Sequence, residues 1–402
     1  MSSDTFVRDK LTLVSYAQAS CFGWLIFGSG PAINFLRDDL HLSRAMASAH
    51  SLGMSVGGVV AGLSAERLIH HFGRGRLLRW ASFVLIAGML MFLLGRALPV
   101  TLLGFTLCFL GGVTIVQSTA AFLSHHQGRY ASAAISELHG VAAGFGLLSP
   151  VVIGLCVTYG YGWRIGMSVG IIATVATELL RGRDVSKYGV PFSDELETVG
   201  HDLPGALPRA FWWACLAMIC TSGVEYAVML WSSDYLRTNG GLAKGASAIA
   251  LGCVVGAMAV GRLAGSVLTR KFASESLYRG SLALALIGFM GFWSSSAPVV
   301  MILCLTITGL GLSLHFPFGI ERAIVVSHGR ADRATTRIAI ATAISSGVAP
   351  FSIGVLADQV GVASAFLVVP IALAVALAVA SYRRVQSATP SMADGHESAL
   401  SQ

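Results

Sequence analysis

Residues 182–208 read GRDVSKYGVPFSDELETVGHDLPGALP. Charges of both signs, three prolines and little apolar content mark the stretch as a linker. Before it lie apolar runs at about 12–36, 44–69, 77–95, 99–123, 131–158 and 163–181. After it lie runs at about 209–236, 243–269, 276–294, 298–326, 333–357 and 362–382. Each run approaches or exceeds the ~20 residues with which a helix crosses a bilayer. The 402 residues are 54% hydrophobic and only 12% charged, with a mean hydropathy of +0.72. An ordinary soluble domain carries about 25% charge, so a chain of this composition is expected to lie almost wholly in lipid.

The same arithmetic excludes several classes. The net charge of +7 is spread through short segments between apolar runs, as membrane topology requires, and not along one basic face that would read nucleic acid. The seven cysteines all fall inside apolar runs without a CxxC pair or metal spacing, so they are expected to be reduced packing residues. The N-terminus is largely polar and the first run exceeds a signal h-region, so no cleavable signal is expected. The tail from 385 has the composition of a disordered segment. With the N-terminus cytoplasmic, the outer segments hold only Arg37, Arg44, Arg96, Arg164, Arg237 and Lys244 of 27 basic residues. The positive-inside rule therefore puts both termini and the linker in the cytoplasm.

The linker also separates two similar halves. Ser149–Pro150 and Gly154 match Ala349–Pro350 and Gly354; Leu36–Arg37 matches Leu236–Arg237; Leu110–Gly111 matches Leu310–Gly311. Gly57 and Gly62 match Gly256 and Gly261, one residue off the period of 200. Prolines, glycines and loop arginines aligned together predict two six-helix bundles related by a pseudo-two-fold axis. The expected fold is an all-α membrane protein of twelve spans: a bundle at 1–181, the linker at 182–208, a second bundle at 209–384 and a tail at 385–402.

This architecture resembles the major facilitator superfamily. The loop after the second run, GLSAERLIHHFGRGR at 62–76, offers Gly62, Glu66, Arg67, Gly73, Arg74 and Arg76. These are the residue types of the superfamily's signature loop, with five residues between Arg67 and Gly73 where one or two are usual. The second half carries a degenerate copy, GRLAGSVLTRKF, at 261–272. A finer resemblance runs through GVEYAVMLWSSDYLRTNGG at 223–241 and GRLAGSVLTR at 261–270. Gly223, Glu225, Trp231, Tyr235, Gly261, Arg262 and Gly265 are similar to the pattern of the fucose-permease-like branch. That branch's acidic residues in the first and fourth helices have no counterpart here. The drug-antiporter pattern is also poor: Ser149 precedes the proline where a glycine is usual, and the fourth helix offers Gln117 in place of an arginine.

The resemblance implies a secondary transporter that moves a small organic solute by alternating access, not an enzyme. Its expected drive is the proton gradient, and uptake of a sugar-like or polar solute is favoured over efflux of an amphiphile. A non-transporting sensor is the rival from another class. Glu225 is the first expected proton or substrate residue, because a charge at mid-membrane costs about 2.5–3.5 kcal/mol and therefore faces a cavity or a partner. A carboxyl merely hydrogen-bonded within the bundle is the plainer alternative. Tyr16, Gln18, Trp24, Gln117, Trp231 and His315 are the other polar positions on cavity-type helices; packing is the alternative for each. Glu137 with Arg262, and Glu66 with Arg337, stand at matching depths and are expected to form inner-gate ion pairs, flanked by the signature residues Arg67, Arg74 and Arg76. GSGP at 28–31 follows no strand and precedes no Gly-Lys-Ser/Thr, so it is no nucleotide loop. No cofactor or metal site is expected. The partners are a small-molecule substrate, protons and the bilayer of the cytoplasmic membrane, with no nucleic acid. The resemblance implies a monomer.

Overall fold

The computed structural model describes residues 6–184, 188 and 205–382. Most of the linker, and the tail expected to be disordered, lie outside the described residues. The first half comprises α1 (Lys10–Leu40), α2 (Arg44–Phe72), α3 (Arg74–Leu94), α4 (Leu98–His126), α5 (Ala131–Thr158) and α6 (Trp163–Arg181). The second comprises α7 (Arg209–Thr238), α8 (Lys244–Leu268), α9 (Ser274–Ser294), α10 (Pro298–Leu312), α11 (His315–Val325), α12 (Ala331–Val360), α13 (Val362–Ala365) and α14 (Val368–Ser381). No strand occurs among the described residues.

Local chemistry sets the helix ends. Asp9 caps α1 through Thr12 N at 2.9 Å, and Ser43 caps α2 through Met46 N at 3.2 Å. Gly73, at φ 78°, ends α2 and starts α3 with no room for loop residues. α4 and α10 each begin with a proline in their first turn, where its missing N–H costs nothing.

Eleven spans among the described residues are long and apolar enough to cross a membrane. The remaining span, α9, has 21 residues, about 31 Å at 1.5 Å per residue; Glu275 and Arg279 in its first turns lower its hydropathy. Two expected spans are broken. The tenth divides into α10 and α11 at Ser313–Leu314, ahead of Pro317. The twelfth divides into α13 and α14 at Phe366–Leu367, ahead of Pro370. A proline gives no N–H to the carbonyl four residues earlier, so the preceding turn loosens.

The repeat reappears as packing. In the first half Gly88 and Gly111 let α3 lie on α4: a Cβ on Gly88 would stand 2.6 Å from Cys108 N, and one on Gly111 2.6 Å from Ala81 O. In the second half Gly288 and Gly311 do the same for α9 on α10, at 2.7 Å from Thr308 N and 2.3 Å from Ala285 N. Small residues of this kind let helices approach where no hydrophobic effect drives them together.

The halves meet through α1 with α7, α2 with α12 and α5 with α8. The contacts gather at the end where the 41–43 and 239–243 connections lie. A Cβ on Gly154 would stand 2.6 Å from Gly245 O, and one on Gly354, 200 residues on, 2.1 Å from Ser48 Oγ. Ser51 Oγ donates to Gly347 O at 2.7 Å. At the other end, which holds Phe6, Gly205 and Tyr382, a Cβ on Gly140 or Gly144 would meet nothing within 4 Å. The two bundles thus enclose a cleft closed at one end and open at the other.

Candidate functional site

The floor of the cleft is a cavity of about 160 Å³ lined from both halves, by Phe27 and Ser29 of α1, Met54 of α2, Phe105 of α4, Glu225 and Tyr226 of α7, and Pro350 of α12. Glu225 reaches it because α7 faces α1 across the pseudo-axis. Its Oε2 lies 3.1 Å from Nε2 of His315, whose side chain is wholly buried while that of Glu225 is 18% exposed. The approach is off-axis, an ion contact more than a linear hydrogen bond. His315 starts α11 at the helix break, and its Nδ1 meets the carbonyl of Leu312 in the preceding turn. That contact makes Nδ1 the donor and leaves Nε2 for Glu225. Arg262 is exposed on α8.

The other expected cavity residues fall into two groups. Gln117 is exposed, and its side chain stands near Gly62 of α2. Tyr16, Gln18, Trp24 and Trp231 are buried within the halves instead of lining the cleft. Tyr16 Oη donates to Glu137 at 3.2 Å. Gln18 donates to Glu178 at 3.2 Å and to Ser82 at 3.3 Å. Trp24 packs on Phe145 at 5.1 Å, and Trp231 donates to Pro350 O at 2.9 Å.

The expected Glu137–Arg262 pair is not formed in this conformation. Glu137 is held by Arg8 of its own half, at 2.8 and 2.5 Å. Arg67, Arg76 and Arg337 are exposed, and Arg74 is buried; the side chain of Glu66 lies outside the described residues. Arg337 stands about 80° around α12 from the Gly347 stripe that meets α2, at 100° per residue.

The closed end carries charges that hydropathy does not reveal. Asp234, 1% exposed, accepts from Arg37 Nη2 at 2.8 Å and Arg44 Nε at 2.9 Å. Asp38 accepts from Arg237 Nη2 and Lys244 Nζ, each at 2.9 Å. Asn34 donates to Leu230 O at 2.8 Å and Ser233 Oγ at 3.0 Å. Asp358 of α12 accepts from the N–H groups of Arg44 and Ala45, both at 2.9 Å, so it caps α2 across the interface. The spacing holds the signal for this rim: Arg37 and Arg237, Arg44 and Lys244, and Asn34 and Asp234 are each 200 apart. Each half sends two bases onto a carboxylate of the other.

Two bundles around a cleft sealed at one end are the architecture of a solute carrier. The Major Facilitator Superfamily model matches residues 16–321, and the chain belongs to that family. Its members are transporters, not enzymes. A search of curated protein sequences finds no match. Among solved structures the chain is similar to a bacterial homologue of the human lysosomal transporter Spinster, in an inward-facing and occupied conformation. Identity is 14%, covering 94% of this chain and 96% of that one, with a TM-score of 0.71. A point mutant of the nucleoside transporter NupG shares 9% identity over 94% of this chain and 98% of that one, with a TM-score of 0.73. A point mutant of the E. coli fucose:proton symporter FucP shares 14% over 92% of this chain and 99% of that one, at 0.57. FucP in the outward conformation also scores 0.57.

Proposed function

We propose that the protein is a proton-coupled carrier of a small organic solute in the cytoplasmic membrane, working by alternating access. Residues 1–181 and 209–384 are its two moving domains, and both termini lie in the cytoplasm. The closed end is then the outer one and the structure is inward-facing.

The observation that carries the reading is the Glu225–His315 contact at the cavity floor. With Nδ1 committed to Leu312 O, a bare Nε2 would turn its lone pair toward a carboxylate oxygen. The pair therefore holds one proton between the two groups. Release requires the two side chains to separate or solute and water to reach them, which ties the proton to the conformational cycle. On inward closure Glu137 exchanges Arg8 for Arg262, forming the inner gate while the outer rim of Asp38 and Asp234 opens.

Uptake of a sugar-like or polar solute fits Tyr226, Gln117 and Ser29 as hydrogen-bonding groups. A second reading, efflux of an amphiphile, is favoured by Phe27, Met54 and Phe105 on the cavity wall. Proton flux in proteoliposomes against sugars, nucleosides and amphiphilic compounds separates these readings. Protons entering with a solute support uptake, and protons opposing it support efflux. Coupled flux that survives Glu225→Gln would remove Glu225 from the mechanism. A protein that binds solute yet moves neither solute nor protons is a sensor.

A further inference from the structure

The second half contains an apolar crevice of about 480 Å³ between α7, α12 and α14, walled by Ile219, Gly223, Ala341, Ile344, Val348 and Ala372 among others. It is separate from the cleft. Ile344 and Val348 are 49% and 45% exposed, on the outer surface of membrane spans. In the first half the corresponding helices meet: α6 closes on α5 at Gly166, where a Cβ would stand 2.7 Å from Ile153 Cα. The position 200 residues on is Phe366, at the α13–α14 break, buried against Tyr235, Phe289 and Phe292. α12 packs on α7, as does α14, but α12 and α14 make little contact with each other. The repeat has thus lost a glycine seam and gained an opening.

The charge at the mouth is specific. Arg337 lies on the α12 stripe of Ala341, Ile344 and Val348. Arg209, Trp212 and Trp213 lie on the α7 face that continues into Ile219 and Gly223, and all four are exposed. Ser345 Oγ donates to Ile219 O at 2.6 Å, which sets the two parallel helices in register. From that contact Arg209 is about 15 Å and Arg337 about 12 Å toward the open end at 1.5 Å per residue. Neither arginine is in an ion pair among the described residues. The lining from Ala341 to Ile353 is about 18 Å long, slightly more than half of the ~30 Å hydrocarbon core. Two cations at one level, tryptophans at the interface and an apolar slot one leaflet deep match one kind of molecule.

We propose that this crevice binds one anionic phospholipid of the open-end leaflet, with its phosphate between Arg209 and Arg337 and an acyl chain between α12 and α14. The inference rests on the membrane-spanning family fold and not on proton coupling. Native mass spectrometry of the full chain, titrated with phosphatidylglycerol or phosphatidylcholine of the same acyl chains, tests it. At about 1 kcal/mol per basic residue near a headgroup and 1.4 kcal/mol per decade, phosphatidylglycerol is expected to bind about 30-fold more tightly. Arg209→Gln with Arg337→Gln brings the two lipids to parity, and Arg209→Lys with Arg337→Lys keeps the preference. Val348→Trp, which fills the slot, removes binding of both. Equal binding of the two lipids by the wild type overturns the proposal. So does a preference that survives the glutamine pair or the filled slot.

Discussion

Asp234→Asn should tip the carrier away from its present conformation. The Asp234 carboxylate is 1% exposed and takes one bond from each of two arginines across the domain interface, at 2.8 and 2.9 Å. Removing one partner of a buried pair costs about 3–5 kcal/mol. The amide oxygen still accepts one bond, and Arg37 and Arg44 are 12% and 26% exposed, so solvent recovers part of the loss. We expect about 2 kcal/mol against the closed end, a shift of about 30-fold at 1.4 kcal/mol per decade. A population of about 99:1 becomes about 3:1. Spin labels at the exposed Tyr159 and Asn239, with Cys253 replaced, read the change as a second, longer distance in pulsed resonance spectra. If the mutant keeps the wild-type distribution, the Asp234 bonds do not hold the end closed and the gating reading fails.

Gly30→Val should hold the same end open, since even a Cβ there would stand 2.0 Å from Met229 O; the label pair again reports it, and an unchanged distance would mean that α1 and α7 yield freely. Tyr188→Ala should lower the thermal midpoint by several degrees, because the ring is 1% exposed and packs on Phe122 at 4.9 Å, and emptying such a site costs about 3 kcal/mol. Burial raises the pKa of the Asp9 carboxyl, but bonds from Thr12 and His126 outweigh it and hold the value below the ordinary one. A depressed carboxylate stabilises the fold above its unfolded pKa of about 4 and loses that contribution as pH falls through the folded value. The melting difference between wild type and Asp9→Asn should therefore be present at pH 7 and shrink as pH falls below about 4; a difference that grows on acidification would contradict the capping role.

Much of the fold was legible because apolar runs and their separators are set by lipid itself. The period of 200 carried more: Gly154 and Gly354, noticed only as matching letters, are the points where α5 meets α8 and α12 meets α2. Direction around each helix was harder to read. α1 is buried on nearly every side, so its sequence has no polar face to say that Tyr16 and Gln18 turn inward to Glu137 and Glu178. Asp234 sat inside the pattern that drew attention to Glu225 and Trp231, and its partners lie some 190 residues away. The Glu225–His315 contact joins two residues singled out separately. Only the break at Ser313–Leu314 brings the imidazole to that level, and hydropathy does not register a break.

The rim carries a consequence for the surrounding medium. Asp234 is sealed from water, so dissolved ions barely reach its bonds. Lys244, 56% exposed opposite Asp38, is open to them, and such a pair contributes at most about 1 kcal/mol before salt weakens it. The Debye length shrinks from about 30 Å at 0.01 M to about 8 Å at 0.15 M. The compartment facing the closed end thus adjusts one of the two bridges by its ionic strength and leaves the other untouched. Dilute surroundings hold the carrier at rest slightly longer than saline ones do.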